Sequence, residues 1–357
     1  MSYKFIDQEQ DLDAWMDRVS DIKVIGLDTE FLWERTYFPK LCLIQIAAGD
    51  SIVCIDTLAL GNLSVVNKMM NVSHVQKVFH AAKQDIEVLH AAGLEVCEQL
   101  FDTQVAAGLL GMAEQIGYGD LVEALIGIRL EKSQTRTDWT SRPLNVCQLD
   151  YAANDVKYLA EMTEIMSEKL RSLGRLDWCL EDCRRLEQPH RSVLAPWERI
   201  SGIGKLETAS FELAANIAAW RDKKAKEIDL PRGWVLSDKQ ILSIATEKPK
   251  TSKELSFILK DKPNILRKFS ENLLGFVKSD GLTGSLGVNR KEPLSISQRK
   301  RAKEIKKSIA AIANDLDLGS SLLCTSKEVE ACLRGDVSER VSTGWRKNIL
   351  YDVLGSI

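Results

Sequence analysis

Residues 24–56 read VIGLDTEFLWERTYFPKLCLIQIAAGDSIVCID, and three strand signals lie inside them. Val24–Phe31 is a short β-type run, Leu41–Ala47 is a second, and Ser51–Asp56 follows the Gly49-Asp50 turn. Two apolar runs joined by so tight a turn form an antiparallel hairpin. Working outward, the signals alternate: a helix-like stretch to about Met70, a strand at Lys77–His80, a helix over Lys83–Ala92, then Phe101-Asp102-Thr103 leading into an apolar helix to Leu110. Gln148–Leu170 is expected as one long closing helix. This alternation predicts an α/β fold, a mixed sheet with helices packed on it.

From about Ala195 the pattern is helical without strand signals. Leu206–Lys224 has apolar residues at helical spacing and ends in the basic cluster Arg221, Lys223, Lys224 and Lys226. Pro231-Arg232-Gly233 interrupts the chain, Ser237 or Asp238 caps the next helix, and a third begins near Thr251 with Glu254 placed as a capping-box partner. Asp280–Pro293, with three glycines, reads as a linker; beyond it a second helical unit opens with Arg299, Lys300, Arg301, Lys303, Lys306 and Lys307. Three domains are expected, at 1–190, 195–280 and 294–357.

The net charge of −3 hides an asymmetry. Residues 1–190 carry 18 Lys plus Arg against 30 Asp plus Glu, a net −12, whereas residues 191–357 carry 30 against 21, a net +9. A hydrophobic fraction of 45% with 28% charged residues excludes disorder over the whole length. The acidic first twenty residues are unlike a targeting peptide, and apolar runs stay short of the roughly 20 residues that span a bilayer, so a cytoplasmic protein with no membrane partner is expected. The eight cysteines, Cys42, Cys54, Cys97 and Cys147 among them, read as reduced core residues. Cys179 and Cys183, with His190 following, have no second ligand pair close by and are not read as a zinc site.

Chemistry concentrates in the acidic half. Asp28 and Glu30 stand two apart in a strand, so both carboxylates point to one face. Placing two negative charges together calls for a raised pKa, a cationic partner or a metal. Asp85 lies just inside a helix that follows a strand ending in His80, where the helix dipole alone would also accommodate it. Tyr151 and Asp155 sit four apart on one face of the closing helix. Asp102 and Asp120 are expected as helix caps. Four carboxylates from such positions are what two divalent cations about 4 Å apart require, and hard oxygen ligands favour Mg²⁺ or Mn²⁺.

The set Asp28-x-Glu30, Asp85 after Phe79-His80, and Tyr151-x₃-Asp155 resembles the DEDDy group of 3′→5′ exonucleases, whose fold is ribonuclease H-like. Longer strings, namely LDTEFLWERTYFPKLCLIQI (27–46), FDTQVAAGL (101–109), KSQTRTDWTSRP (132–143) and QLDYAANDV (148–156), resemble the bacterial ribonuclease D family. WRDKKAKEIDLPRGWVL (220–236) is similar to an HRDC domain, the helical nucleic-acid-binding module of that family, which carries two such units. The resemblance implies a metal-dependent 3′→5′ exoribonuclease that releases nucleoside 5′-monophosphates from structured RNA, with tRNA precursors as substrate and a monomeric state. It assigns Asp28 to both metals, Glu30 and Asp155 to the metal of the attacking water, Asp85 to the second metal through water, and Tyr151 to orienting and helping to deprotonate that water. Phe31, by stacking, and His80 are candidate contacts to the terminal nucleotide. A DNA exonuclease of the same superfamily and a catalytically inactive nucleic-acid-binding protein are the alternatives; the second predicts loss of a carboxylate, and all four are present. Lys and Arg of residues 191–357 are expected to neutralise phosphates without reading sequence.

Overall fold

A computed structural model of the chain describes residues 3–96, 98–130, 137–187, 195–279 and 293–355. The three runs quoted above are strands β2 (Val24–Leu32), β3 (Lys40–Ala48) and β4 (Ser51–Asp56), with Gly49 at φ 58° in the β3–β4 turn. β3 is the centre of an antiparallel trio and is buried along almost its whole length, as expected of a strand covered on both faces. β1 (Tyr3–Ile6), β5 (Gln76–Phe79) and β6 (Leu100–Asp102) complete a six-stranded mixed sheet of order β1-β4-β3-β2-β5-β6. The outer pairs β1–β4, β2–β5 and β5–β6 are parallel.

β1 has no counterpart in the sequence reading, because four residues before an acidic stretch give no alternation to detect. The acidic stretch itself is helix α1 (Glu9–Arg18), which buries Leu12, Trp15 and Met16 and keeps its carboxylates outward. Helices α2 (Ser64–Met70), α3 (Lys83–Ala91), α4 (Thr103–Leu109) and α5 (Tyr118–Ile126) follow in order.

The single closing helix expected over residues 148–170 is two helices, α6 (Val146–Lys157) and α7 (Leu159–Ser172), and α8 (Leu176–Glu187) comes after. The break falls at Tyr158, whose φ of −103° and ψ of 3° leave the helical region. Its N–H donates to the Tyr118 hydroxyl, a group forty residues away that periodicity cannot reveal.

The described residues of 294–357 also depart from the expected separate domain. They belong to one compact unit with residues 1–32 and 40–189. Helices α14 (Ile296–Asp315), α15 (Ser320–Leu323), α16 (Ser326–Cys332), α17 (Glu339–Ser342) and α18 (Gly344–Leu354) send Ile305, Ile309, Val329, Trp345 and Leu350 into the hydrophobic cluster that also holds the sheet. Two of these helices are a single turn long, too little to enclose a core alone. Trp345 stacks on Trp178 of α8 with ring centroids 4.6 Å apart, and Arg346 holds Asp182 with both Nη atoms.

The second unit comprises Trp33–Pro39 with the described part of 190–293, and its core is made by Phe211, Ile217, Leu236, Ile241, Leu259 and Leu273, among others. Its helices are α9 (Thr208–Glu227), the one-turn α10 (Arg232–Val235), α11 (Asp238–Glu247), α12 (Ser252–Ile258) and α13 (Pro263–Lys278). Ser237 and Thr251 act as the N-caps of α11 and α12. Within this unit Tyr37 donates to Asp222 at 3.0 Å, and its ring lies under the Arg232 guanidinium. The linker expected at 280–293 lies outside the described residues, Pro293 excepted, as do Cys97 and His190. Cys147 is exposed on α6 rather than in the core.

Candidate metal centre

Strand alternation puts Asp28 and Glu30 on one face of β2 and Thr29 on the other. A bulge between Glu30 and Phe31, where the β3 register skips Cys42, turns the strand immediately after the two carboxylates. Phe31 packs partly buried against the core. Asp85 is in the first turn of α3, and the Thr29 hydroxyl donates to it at 2.6 Å. A capping box in which Asn145 accepts from Gln148 N–H at 2.9 Å starts α6, which carries Tyr151 and Asp155 on one face.

β2 and α6 bring these groups together because Gly26 has no side chain. A Cβ at Gly26 would sit 2.9 Å from the Val156 carbonyl and 3.0 Å from Leu159 Cβ, so only glycine lets the α6–α7 junction rest directly on the strand. As a result one carboxylate oxygen from each of Asp28, Glu30 and Asp155 lies within 4.8 Å of the others. Asp85 stands outside this trio yet close enough to influence all three electrostatically.

Among the described residues none of these four carboxylates makes an ion pair. Burial, then the Asp85, Asp155 and Glu30 charges, push the Asp28 carboxyl well above the ordinary range. Burial and the charges of Asp155 and Asp85 push Glu30 up to about 9. Asp85 and Asp155 are pushed to about 7, again chiefly by burial, even though hydrogen bonds from Thr29 and Tyr151 respectively pull them down. Four acids, Asp85 buried and the other three partly so, with no ion pair to a described basic side chain, are a donor set for hard cations, and their Coulomb repulsion is what a divalent ion would relieve.

Tyr151 donates its hydroxyl to Asp155, and its ring lies 6.3 Å from that of Trp139. Burial and the Asp155, Glu30 and Asp28 charges raise its phenol above the ordinary value, so it stays protonated at neutral pH. His80 is also near, but both ring nitrogens are engaged: Nδ1 with Thr103 Oγ1 at 2.9 Å and Nε2 with the Ile116 carbonyl at 3.0 Å. Only its ring faces are left for a nucleotide.

Of three supporting residues, Arg142 and Tyr118 escaped the sequence reading, whereas Asp102 is the helix cap expected from it. Asp102 caps α4 by accepting from Gln104 N–H at 2.8 Å, and also accepts from Ala81 and Ala82 N–H, which fixes the entry to α3 and so Asp85. Ala81 is held at φ 61°, a conformation uncommon for alanine. Arg142 grips Asp56 through Nε and Nη2 at 2.6 and 2.7 Å and donates to the Cys42 carbonyl, tying the approach to α6 onto the sheet. Tyr118 bridges the α6–α7 break. Asp120, expected as a cap, lies in the first turn of α5, whose N-cap is Gly117.

The basic clusters divide. In α9, Arg221 is buried against Asp238 and the Leu236 carbonyl, Lys224 pairs with Glu227, and Lys226 pairs with Asp222. In α14, Arg299, Lys300, Lys303 and Lys307 are exposed, and Ile305 and Ile309 face the core.

A mixed sheet bearing a partly buried carboxylate cluster at the meeting of β2, α3 and α6 defines an acidic-site nuclease, and the comparisons agree. Residues 3–171 match the family model of a 3′-5′ exonuclease, and residues 210–277 match that of the HRDC domain. The chain is 32% identical to ribonuclease D of Gluconacetobacter diazotrophicus, over 96% of its own length and 89% of the relative's. It is also 32% identical to ribonuclease D of Desulfotalea psychrophila, over 97% and 96%. The crystal structure of Escherichia coli RNase D superposes with a TM-score of 0.89 at 28% identity, covering 100% of this chain and 98% of that one. The chain belongs to the ribonuclease D family of 3′→5′ exoribonucleases. No helix among the described residues is long and apolar enough to cross a membrane.

Proposed function

We propose that the chain trims RNA from the 3′ end, releasing nucleoside 5′-monophosphates, with two divalent cations, Mg²⁺ or Mn²⁺, held by Asp28, Glu30, Asp85 and Asp155. Precursor tRNA is the proposed substrate, acted on by a monomer in the cytoplasm. The observation that carries the reading is the set of four carboxylates, Asp85 buried and the others partly so, with no ion pair to a basic side chain among the described residues, three of them converging within 4.8 Å. When bound, the cations supply charge stabilisation to the attacking and leaving oxygens of an in-line displacement. Water adds to the terminal phosphorus, the P–O3′ bond breaks, and the departing 3′-oxygen takes up a proton. Tyr151, kept protonated, orients the attacking water while its hydroxyl restrains Asp155. Phe31 stacks on the terminal base, and His80 contributes a ring face. The sheet unit carries catalysis, residues 195–280 form the HRDC module, and the helices of 294–357, packed into the core of the sheet unit, present the α14 cations that grip the RNA backbone.

RNA labelled at the 3′ end, RNA labelled at the 5′ end, and DNA of the same sequence, each incubated with Mg²⁺ or with EDTA, test this. Mononucleotide from the 3′ label and a descending ladder from the 5′ label are expected with metal only. Cleavage that survives EDTA would sink the metal assignment, and faster digestion of DNA would sink the choice of RNA.

A further inference from the structure

The turn that carries Asp155 is not closed by the helix's own hydrogen bond. In an unbroken helix the Tyr158 N–H would donate to the Asn154 carbonyl. Here it is shared between the Val156 carbonyl and the Tyr118 hydroxyl, at 3.2 Å from the latter, and that hydroxyl donates to the Asn154 carbonyl at 2.9 Å. Tyr118 is thereby inserted into the ladder across residues 154–158. An inserted side chain breaks or bends a helix at the rung it occupies, and α6 ends there.

Two further observations tie this insertion to the carboxylate cluster. On its other side the junction rests on Gly26, two residues before Asp28, with no room for even a methyl group. The break is therefore held between the catalytic strand and the Tyr118 hydroxyl. The Tyr118 ring is itself fixed: His80 packs edge-on against it at 5.7 Å, and His80 Nε2 holds the carbonyl of Ile116, two residues earlier. Burial raises the Tyr118 phenol, and the charges of Asp155 and Asp28 raise it further, so the hydroxyl keeps its proton for Asn154.

We propose that Tyr118 is a positioning residue of the metal centre: by occupying the 154–158 rung it ends α6 and sets how Asp155 approaches Asp28 and Glu30. The proposal rests on the reading of Asp155 as a metal ligand. Its consequence is that Tyr118 acts on cation affinity without touching cation or RNA. Closing the ladder in the ordinary way would rotate the last turn of α6, and Asp155 with it.

Tyr118→Phe keeps the ring and removes only the hydroxyl. Mn²⁺ binding to the full RNA-free chain, read from loss of the free-ion EPR signal, is expected to weaken about tenfold, as for other groups that orient metal ligands. Turnover should require correspondingly more metal and recover at saturation. Val122→Ala, buried on the same helix α5, is the stability control and should lower the melting temperature while leaving Mn²⁺ affinity unchanged. Asp155→Asn should lose the ion outright. If Asp155→Asn loses Mn²⁺ and Tyr118→Phe binds it as the parent does, the role of Tyr118 is overturned alone. If Asp155→Asn binds normally, the ligand assignment beneath it falls. An equal loss of affinity in Val122→Ala and Tyr118→Phe would reduce Tyr118 to general packing and overturn the proposal as well.

Discussion

Asp56 and Asp28 belong to the same sheet, one at the end of β4 and the other within β2, and burial acts on both in the same direction. Their outcomes are opposite. Asp56 receives two guanidinium hydrogen bonds from Arg142 and the N–H groups of Leu58 and Ala59, and these outweigh burial and hold its carboxyl below the ordinary range. Asp28 has three other acids for company and no cation paired with it among the described residues, so burial and their charges drive its carboxyl up. A buried carboxylate whose charge is already compensated fastens structure, whereas one left uncompensated can bind what the chain does not supply. A similar division separates Lys224 and Lys226 of α9, which pair with Glu227 and Asp222, from Arg299, Lys300, Lys303 and Lys307 of α14, which are exposed, although Arg301 and Lys306 of α14 pair with Glu304 and Glu330.

The largest expected effect breaks the uncompensated side. Asp28→Ala or Asp155→Ala should cost at least about 10²–10³ in kcat, the scale of losing one preorganised electrostatic contact, with RNA affinity in a filter-binding assay largely retained. Activity that persisted would remove that residue from the site. Removing residues 294–357 is expected to unfold the sheet domain rather than merely weaken RNA binding, because Ile305, Ile309, Val329 and Leu350 share its core. A truncated chain with an intact cooperative melt would contradict the shared core.

Breaking the compensated side should be milder. Asp56→Ala leaves Arg142 without its carboxylate and should cost about 2–3 kcal/mol by urea titration, toward the low end for a broken buried pair because the Arg142 side chain is 25% exposed. The two sides also differ in pH dependence. The depressed pKa of Asp56 contributes stability above the ordinary carboxylate range that is lost as pH falls through it. The raised pKa values of Asp28, Glu30, Asp85 and Asp155 have the opposite sign: the folded metal-free chain binds extra protons, so its stability falls as pH rises from about 4 toward about 9. Melting temperatures in EDTA should therefore decline across that window and flatten when Mg²⁺ is added; a flat EDTA profile would contradict the crowding of the four acids. The smallest effects belong to α14. Lys300→Ala, Lys303→Ala and Lys307→Ala should each weaken RNA binding modestly and reduce its salt dependence by about one unit of slope. Unchanged slopes would place the RNA elsewhere.

Much of the site was legible because its geometry is local. Two residues apart in a strand and four apart in a helix are distances that secondary structure sets by itself, so Asp28 with Glu30, and Tyr151 with Asp155, could be paired before any tertiary contact was known. The β3–β4 hairpin was legible for the same reason, through Gly49-Asp50. What stayed hidden was non-local. Arg142 meets Asp56 across 86 residues and Tyr118 meets Tyr158 across 40, and neither leaves a mark in periodicity. The closing helix read as continuous because its apolar spacing runs through Tyr158; only the inserted hydroxyl reveals the break.

The sequence by itself determined which residues are acidic, which face of each element they take, and where charge accumulates along the chain. Backbone periodicity and chain order require no neighbour, so those properties follow from the letters alone. Tertiary structure decided which charges are compensated. It paired Lys224 and Lys226 of α9 with acids, joined residues 294–355 to the core of the sheet, and used the bare Cα of Gly26 to seat the α6–α7 break over Asp28. Charge compensation and close packing depend on what arrives from elsewhere in the chain, and that is decided only when the chain has folded.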